Sequence, residues 1–462
     1  MRRLADTLVA LWMAGCSTPG MDERKLDTAT ADTSTTDDST TADTAVRSTD
    51  PASLSRHPLV ATVIVASWTA ETAADSAWIT WEVDGEPRST PPRPLAEGPQ
   101  SEVLLGTPPQ TAIAPVLHVV TNSVEQTAPL GQITTGSLPP DLVPPTLLGR
   151  DPARQRAEPW LLTTVDAGPV AFFGPFYTVI LDPAGRIVWY RLTEDFRMSW
   201  QATVRDGRIA VDASTVYRGE QPEIVQVPLD LSEVEHIPLT DFAQAWGVAA
   251  DGAILYNESA DPYAFWLTRR DDDGTTTRLW DCNAWMSAWR DDYWACASNV
   301  VRDQPARGTM LYSMFVSNTI VEVDPVAGAP VRVFGEHPDA YQTVPPEAAL
   351  HHPHGASITA EGTLLLQTDD AYGGQWAREY AIDDTARTLT QILAIPSQHY
   401  AAYAGQVRRL PSGNLLWEHG TAGVIEELDR MGEPVWGLDW SGHLLGDVTP
   451  IADLYALVPP PP

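Results

Sequence analysis

Arg205-Asp206-Gly207-Arg208-Ile209, Ala250-Asp251-Gly252-Ala253-Ile254, Ala306-Arg307-Gly308-Thr309-Met310, Ala360-Glu361-Gly362-Thr363-Leu364 and Pro411-Ser412-Gly413-Asn414-Leu415 are five versions of one element. Each is a polar turn around a glycine with an apolar run starting on its far side, which reads as a tight hairpin between two strands. The glycines stand 45, 56, 54 and 51 residues apart. A second turn recurs out of phase with the first, as Asp182-Pro183-Ala184-Gly185-Arg186-Ile187-Val188-Trp189, as Asp324-Pro325-Val326-Ala327-Gly328-Ala329-Pro330-Val331 and as Asp429-Arg430-Met431-Gly432-Glu433-Pro434-Val435-Trp436. Two hairpins in a period of about fifty residues make a four-stranded unit, the blade of a β-propeller. The stretch from Trp160 to the first glycine supplies one more unit. The expectation is an all-β chain whose main body, residues 158–446, is a six-bladed β-propeller. An irregular sandwich with chance turn similarity is the alternative.

Working outward, Pro139-Pro140-Asp141-Leu142-Val143-Pro144-Pro145 opens a stiff linker over 141–157. Residues 58–140 read as a small β-sandwich. Its strands are expected at 60–65, 77–83, 101–105 and 117–121, separated by turn-rich stretches. Residues 17–57 are dominated by Thr, Ser, Asp and Ala without apolar periodicity, so they bury too little to offset chain entropy and read as a disordered tether. Residues 447–462 are expected to be a C-terminal tail.

The first sixteen residues read as an export signal. Arg2 and Arg3 precede a short apolar run, and Met13-Ala14-Gly15-Cys16 has the form of a lipobox whose cysteine is acylated. An ordinary signal peptide or a misplaced start is the alternative. The run is too short to span a bilayer, which takes about 20 residues. The chain is therefore expected to be exported and lipid-anchored through Cys16 at the periplasmic or outer surface of a bacterium. Cys282 and Cys296 are then an even pair in an oxidising compartment, and a disulfide is expected over two unpaired buried thiols.

Sixty-one acidic against 29 basic residues give a net charge of −32, a field that repels nucleic acid and anionic lipid. Forty Pro, 31 Gly and 17 Trp fit many short turns and half-buried pleated surfaces. No cofactor is expected, and a monomer is.

In a propeller the first strand of each blade faces the central channel, so functional groups are sought just before each hairpin glycine. This picks out His351, His352 and His354 before Gly362, and His399, Tyr400, Tyr403 and Gln406 before Gly413, with His419 just after. It also picks out Asn299 before Gly308, and Trp200 and Trp246 before their own glycines. Five of the ten histidines lie in two short stretches, and imidazole is the side chain that serves as base, acid or nucleophile near neutral pH. Catalytic use, a water-filled polar channel and a metal site are all open on these residues alone. No metal is the preferred reading.

Four segments carry a resemblance to the bacterial arylsulfotransferase family. They are His354-Gly355-Ala356-Ser357-Ile358-Thr359-Ala360-Glu361-Gly362-Thr363-Leu364-Leu365-Leu366, Glu379-Tyr380-Ala381-Ile382-Asp383, Gly405-Gln406-Val407-Arg408-Arg409-Leu410-Pro411-Ser412-Gly413-Asn414 and Ser317-Asn318-Thr319-Ile320-Val321-Glu322-Val323-Asp324. They fall in the family's order over about 240–440. The resemblance implies a six-bladed propeller after a small β-domain. It also implies sulfuryl transfer from a phenolic sulfate to a phenol without a nucleotide donor, through a histidine that carries the group covalently. It implies His354 as the central catalytic residue, with His419 or His399 beside it, and His351, His352, Asn299, Arg378 and Gln406 around the substrate. The chain departs from the pattern at Ala297-Ser298-Asn299, where a first His is missing, and at Thr368-Asp369-Asp370-Ala371-Tyr372, where Arg378 is the nearest arginine. A non-catalytic surface propeller that binds a small molecule or a protein partner is the rival expectation.

Overall fold

The computed structural model describes residues 52–459, except 157, 169–170, 195–196, 214–220, 262–263, 291–293 and 371–372. The export signal, Cys16 and nearly all of the tether lie outside the described residues. Ser53–Arg56, inside the stretch read as tether, is already a strand, so the ordered chain begins before residue 58.

The main body is six sheets met in chain order, antiparallel except where Gln342–Val344 runs parallel to Thr388–Pro396 at the outer edge of sheet five. Sheet one is Trp160–Asp166, Phe176–Leu181 and Ile187–Leu192. Sheet two begins at Ala202–Arg205, sheet three at Phe242–Val248, sheet four at Ser298–Gln304, sheet five at His351–Ile358 and sheet six at Gln406–Arg409. Each of these five continues through three further strands in sequence order. The five quoted glycines all take positive φ, between 65° and 89°, which is why glycine stands at each hairpin tip. The second turns share another device. Asp182, Asp324 and Asp429 each accept two backbone N–H bonds from residues just ahead, tying the turn with one carboxylate.

The apolar clusters show how the sheets meet. Ala210 and Ile224 of sheet two pack with Phe242 and Ile254 of sheet three. Leu255 and Leu267 share a core with Tyr312 and Val321 of sheet four. Leu311 and Ile320 pack with Leu364 and Tyr380 of sheet five, and Leu365 with Val407 and Trp417 of sheet six. One last cluster joins Leu416 and Trp436 of sheet six to Leu162 and Val179 of sheet one and to Val211 of sheet two, so the six sheets close into a ring.

Two expectations about boundaries are corrected here. Residues 447–462 are more than a tail. Thr449–Ile451, with Leu444–Leu445, pairs antiparallel with Trp160–Asp166 and becomes the innermost strand of sheet one, so chain end and ring start share a sheet. Residues 141–157 are more than a linker, because Thr146–Arg150 pairs with Pro434–Asp439 as an outer fifth strand of sheet six. Both stretches look Pro-rich and irregular in sequence, and both pair with strands about 290 positions away.

Ahead of the ring stand a three-stranded and a five-stranded sheet sharing one core of Ile64, Leu104, Ile79, Trp81 and Leu117. The strands expected at 77–83, 101–105 and 117–121 are present as Ala74–Val83, Gly98–Leu104 and Val116–Thr121. The first starts later than expected, at Ile64. Val60 and Val63 turn away from the sheet to join the core of the ring, and Ala61 N–H bonds Tyr190 Oη at 3.0 Å. Tertiary burial has taken residues that β-propensity assigned to the strand.

Cys282 and Cys296 are joined, with Cα atoms 5.9 Å apart across a sequence separation of 14. They staple the short helix Cys282–Met286 beneath Trp280 at the edge of sheet three. A link closing a loop of this length is worth about 3 kcal/mol through the unfolded chain. The Cys282→Ala/Cys296→Ala double variant is expected to lose that much in a urea titration, and added reductant is then expected to have no further effect on it.

Candidate functional site

The first strands of sheets two, three, four and six, with the closing segment, wall a cavity of about 230 Å³ whose lining includes Gln201, Trp246, Val301, Arg302, Arg408 and Asp447 and does not include His354. A chain of side-chain amides organises it. Trp246 N–H donates to Gln201 Oε1 at 3.1 Å, Gln201 Nε2 donates to Asp447 Oδ2 at 3.1 Å, and Gln406 Nε2 donates to the same oxygen at 3.0 Å. Asp447 thus ties sheets two and six to the closing segment.

Asp212 supports this chain from behind. It is fully buried and accepts Trp200 N–H at 3.0 Å and Gln201 N–H at 2.7 Å on one oxygen. Burial dominates these bonds and pushes its carboxyl up to about 7. Between pH 4 and 7 the folded chain keeps a proton that the unfolded chain has lost. The stability this gives is complete below about pH 4 and disappears as pH rises through 7. Asp212→Asn keeps the accepting oxygen and removes the titration. It is expected to flatten the fall in urea midpoint between pH 5 and 8 and to gain roughly 3 kcal/mol at pH 8.

Two arginines face the same cavity. Burial lowers the proton affinity of both. Asp447 partly offsets this for each, and the neighbouring Arg302 charge helps push Arg408 down to about 10. Among the described residues neither guanidinium has an ion-pair partner, and Arg408 Nε is closed from solvent without a hydrogen bond. The buried Arg156 and Arg332 are paired with Glu427 at 3.1 Å and Glu322 at 3.2 Å, whereas Arg302 and Arg408 are half-buried and Arg408 Nη2 donates to Gln406 Oε1 at 3.5 Å.

His354 lies on the first strand of sheet five. Its Nδ1 is 2.6 Å from the carbonyl of Gly405. A carbonyl only accepts, so Nδ1 carries the hydrogen. Burial holds the imidazole below its usual range, while Asp447 and Asp369 pull it up and Arg302 pulls it down. The group is therefore neutral at pH 7, with the lone pair on Nε2, and it feels the charges of the cavity. Glu418, on the second strand of sheet six, is buried and pushed well up, first by burial and then by the Asp447 charge.

The other residues singled out from the sequence divide. Gln406 is in the amide chain. Asn299 is buried and donates to Pro353 O at 2.7 Å, holding the first strand of sheet five one residue before His354. His351 lies 3.8 Å from Glu336, and the exposed His352 lies 3.0 Å from Asp369, which raises its proton affinity. Arg378 is on the third strand of sheet five, donating to Ala349 O at 3.3 Å, and does not line the cavity. His399 and His419 gather on Glu426, at 3.5 and 3.1 Å, with His419 also 3.3 Å from Ser397 Oγ and packed on Trp417. Their partners are there rather than at His354. Among the described residues no three His, Cys, Asp or Glu side chains are arranged to hold a metal ion.

Arg302, Arg408 and Asp447 were missed by the sequence reading. Arg302 had a signal: it stands six residues before Gly308, as Gln201 and Trp246 stand six before Gly207 and Gly252. Asp447 had none, because its segment carries no hairpin signature.

No family model matches the chain. No curated protein matches it in sequence either. Solved structures of β-propeller-type proteins do resemble it in shape. TolB from Acinetobacter baumannii is 11% identical, with 75% of this chain and 80% of that one covered and a TM-score of 0.46. A nidogen/laminin complex is 12% identical, with 63% and 98% covered and a TM-score of 0.43. Virginiamycin B lyase from Staphylococcus aureus is 12% identical, with 68% and 90% covered and a TM-score of 0.36. At such identities the likeness is one of fold alone.

Proposed function

We propose that the six sheets are the blades of a six-bladed propeller preceded by a β-sandwich. We propose too that the centre of the ring transfers a sulfuryl group from a phenolic sulfate to a phenol through His354. The observation that carries this reading is the neutral imidazole of His354, pinned at Nδ1 by Gly405 O, with the Nε2 lone pair left for attack. In the first half-reaction that lone pair forms a bond to sulfur, the sulfur–aryl oxygen bond breaks, and the phenolate leaves with the electron pair. In the second, the acceptor oxygen displaces the imidazole and the phenolic proton is lost to solvent. The purified chain lacking residues 1–51 tests this with 4-nitrophenyl sulfate. Acceptor-dependent nitrophenol release, with a sulfuryl mass shift on the His354 peptide, is expected. A folded chain giving neither signal rejects the chemistry.

A binding propeller without turnover is the second reading. It is favoured by the engagement of His399 and His419 with Glu426, which leaves His354 as the sole candidate histidine coupled to the cavity charges. Saturable phenol binding without turnover would decide for it. In either reading the chain is exported and lipid-anchored at Cys16. Labelled palmitate incorporated by the full chain and absent from Cys16→Ser is the expected result.

A further inference from the structure

We propose that Ser397, His419 and Glu426 form a second catalytic site, a serine nucleophile with its base and orienting carboxylate, which hydrolyses uncharged carboxylic esters. This site is independent of the sulfuryl transfer proposed for His354, and neither needs the other.

The three side chains come from separate elements. Ser397 follows Thr388–Pro396, the last strand of sheet five, and His419 follows Leu415–Glu418, the second strand of sheet six. Glu426 lies on the third strand of sheet six, Val424–Leu428. Ser397 Oγ is 3.3 Å from His419 Nδ1, and His419 Nε2 is 3.1 Å from Glu426 Oε2. Burial lowers the proton affinity of His419; Glu426 opposes that, and the nearby His399 adds to it. The imidazole is therefore neutral at pH 7 and carries one hydrogen. Burial would raise Glu426, but its contacts with His419 and His399 outweigh it and hold the carboxyl below its usual range. An ionised carboxylate only accepts, so the hydrogen is on Nε2 and the Nδ1 lone pair is left for the serine. Nucleophile, base and carboxylate in this order activate a hydroxyl.

The surroundings hold the geometry. His419 is fully buried and packs on Trp417, with ring centroids 4.5 Å apart. The second oxygen of Glu426 is 3.5 Å from His399 Nε2. Gln375 grips the serine loop at three points. Its carbonyl accepts Ser397 N–H at 2.8 Å, and its side chain accepts Ala401 N–H at 2.7 Å and donates to Ala401 O at 2.6 Å. Ser397 Oγ also accepts His399 N–H at 2.9 Å and lies 2.5 Å from His399 O. Rotation about the Cβ–Oγ bond alone carries its hydrogen from that carbonyl to His419. Ser397 is only half-buried, and the backbone N–H groups of Gln398 and Tyr400 make no hydrogen bond among the described residues. They are donors available to an oxyanion formed at Ser397. The same loop exposes Tyr400 and Tyr403, whose rings suit the apolar parts of an ester. A net charge of −32 favours an uncharged substrate over an anionic one.

In the reaction Ser397 Oγ bonds to the ester carbonyl carbon as its proton passes to His419 Nδ1. The tetrahedral oxyanion then collapses, the carbon–oxygen bond to the alcohol breaks, and the alcohol leaves with that proton. Water attacks the acyl-serine while giving a proton to His419. The acyl–serine bond breaks, the carboxylic acid departs, and the proton returns to Ser397 Oγ. Water is the only co-reactant.

The test treats the purified chain with a fluorophosphonate and assays it with 4-nitrophenyl butyrate. A phosphonyl mass shift on Ser397 and saturable ester turnover are expected of wild type. Ser397→Ala is expected to lose the label and to lower turnover about a hundredfold or more at an unchanged melting temperature. Glu426 acts through His419, as a positioning residue. Glu426→Gln is expected to lower kcat about tenfold with KM held, and to move the acid limb of kcat/KM to lower pH, because the carboxylate raises the proton affinity of His419. Absence of label on Ser397 in folded wild type overturns the site, as does wild-type turnover by Ser397→Ala. An acid limb unmoved in Glu426→Gln assigns the cluster to the scaffold and also overturns it. The label on wild type needs no variant, so it decides the proposal even where Ser397→Ala fails to fold. Ester hydrolysis without turnover of 4-nitrophenyl sulfate keeps this site and rejects the transfer chemistry, and sulfuryl transfer without label on Ser397 does the reverse.

Discussion

Turnover of 4-nitrophenyl sulfate is expected to fall by on the order of 10³-fold or more in His354→Ala, with the melting temperature and circular dichroism kept. The variant removes the imidazole whose Nδ1 is held by Gly405 O and whose proton affinity responds to Asp447 and Arg302 of the cavity wall. It removes little packing, because His354 is only partly buried and its single hydrogen bond goes to a loop carbonyl. His236→Gln, a change at an exposed imidazole on the fourth strand of sheet two, is the control and is expected to leave turnover unaltered. The pH profile adds an independent readout. Attack needs the neutral imidazole, and burial lowers its proton affinity, so kcat/KM is expected to hold as pH drops to 6.5 and to fail only below that. Full activity in His354→Ala, or an acid limb already falling above pH 6.5, would remove His354 from the role of nucleophile.

The ring was legible because its signal is local and repeated. A hairpin needs a glycine at positive φ and a pleated run on each side, and both are written in the few residues around Gly207, Gly252, Gly308, Gly362 and Gly413. What escaped were segments whose structure depends on distant partners. Thr449–Ile451 contains a proline and Thr146–Arg150 follows two, so each reads as irregular until an edge strand elsewhere accepts it. The site was half legible for the same reason. His354, Gln406 and Asn299 stand near a hairpin glycine and were found by that offset. Arg302 shares the offset, yet an arginine in an acidic chain reads as a surface charge until its lack of an ion-pair partner is seen. His399 and His419 were grouped with His354 by residue type, but Glu426 draws them to a separate cluster. Their chemistry follows from a carboxylate that no local pattern singles out.

Truncation after Gly446 is expected to leave a chain that does not fold. The deleted residues include Val448, Ile451, Leu454 and Leu457, all buried in the cluster that joins sheets six, one and two, together with the half-buried Tyr455 packed against it. At about 1.5–3 kcal/mol for each buried apolar side chain, the loss is roughly 10 kcal/mol, which is comparable to the whole stability of a typical domain. Backbone pairing with Trp160–Asp166 is lost as well, exposing a strand edge in the interior of the ring. Tyr455 extends the effect to the N-terminal sheets, since its hydroxyl accepts Leu105 N–H and donates to Val103 O, both at 3.1 Å. Because the truncated chain is expected to aggregate, two milder variants carry the measurement. Ile451→Ala is expected to cost about 2–4 kcal/mol in a urea titration through the cavity it leaves. Tyr455→Phe is expected to cost about 1–3 kcal/mol by stranding two backbone groups. Urea midpoints unchanged in both, or a soluble truncated chain with wild-type ellipticity, would show that the ring holds without its C-terminal strand. The expected losses would establish that Asp447 is carried into the cavity by the same segment that closes the fold, so that binding-site assembly and ring closure are one event.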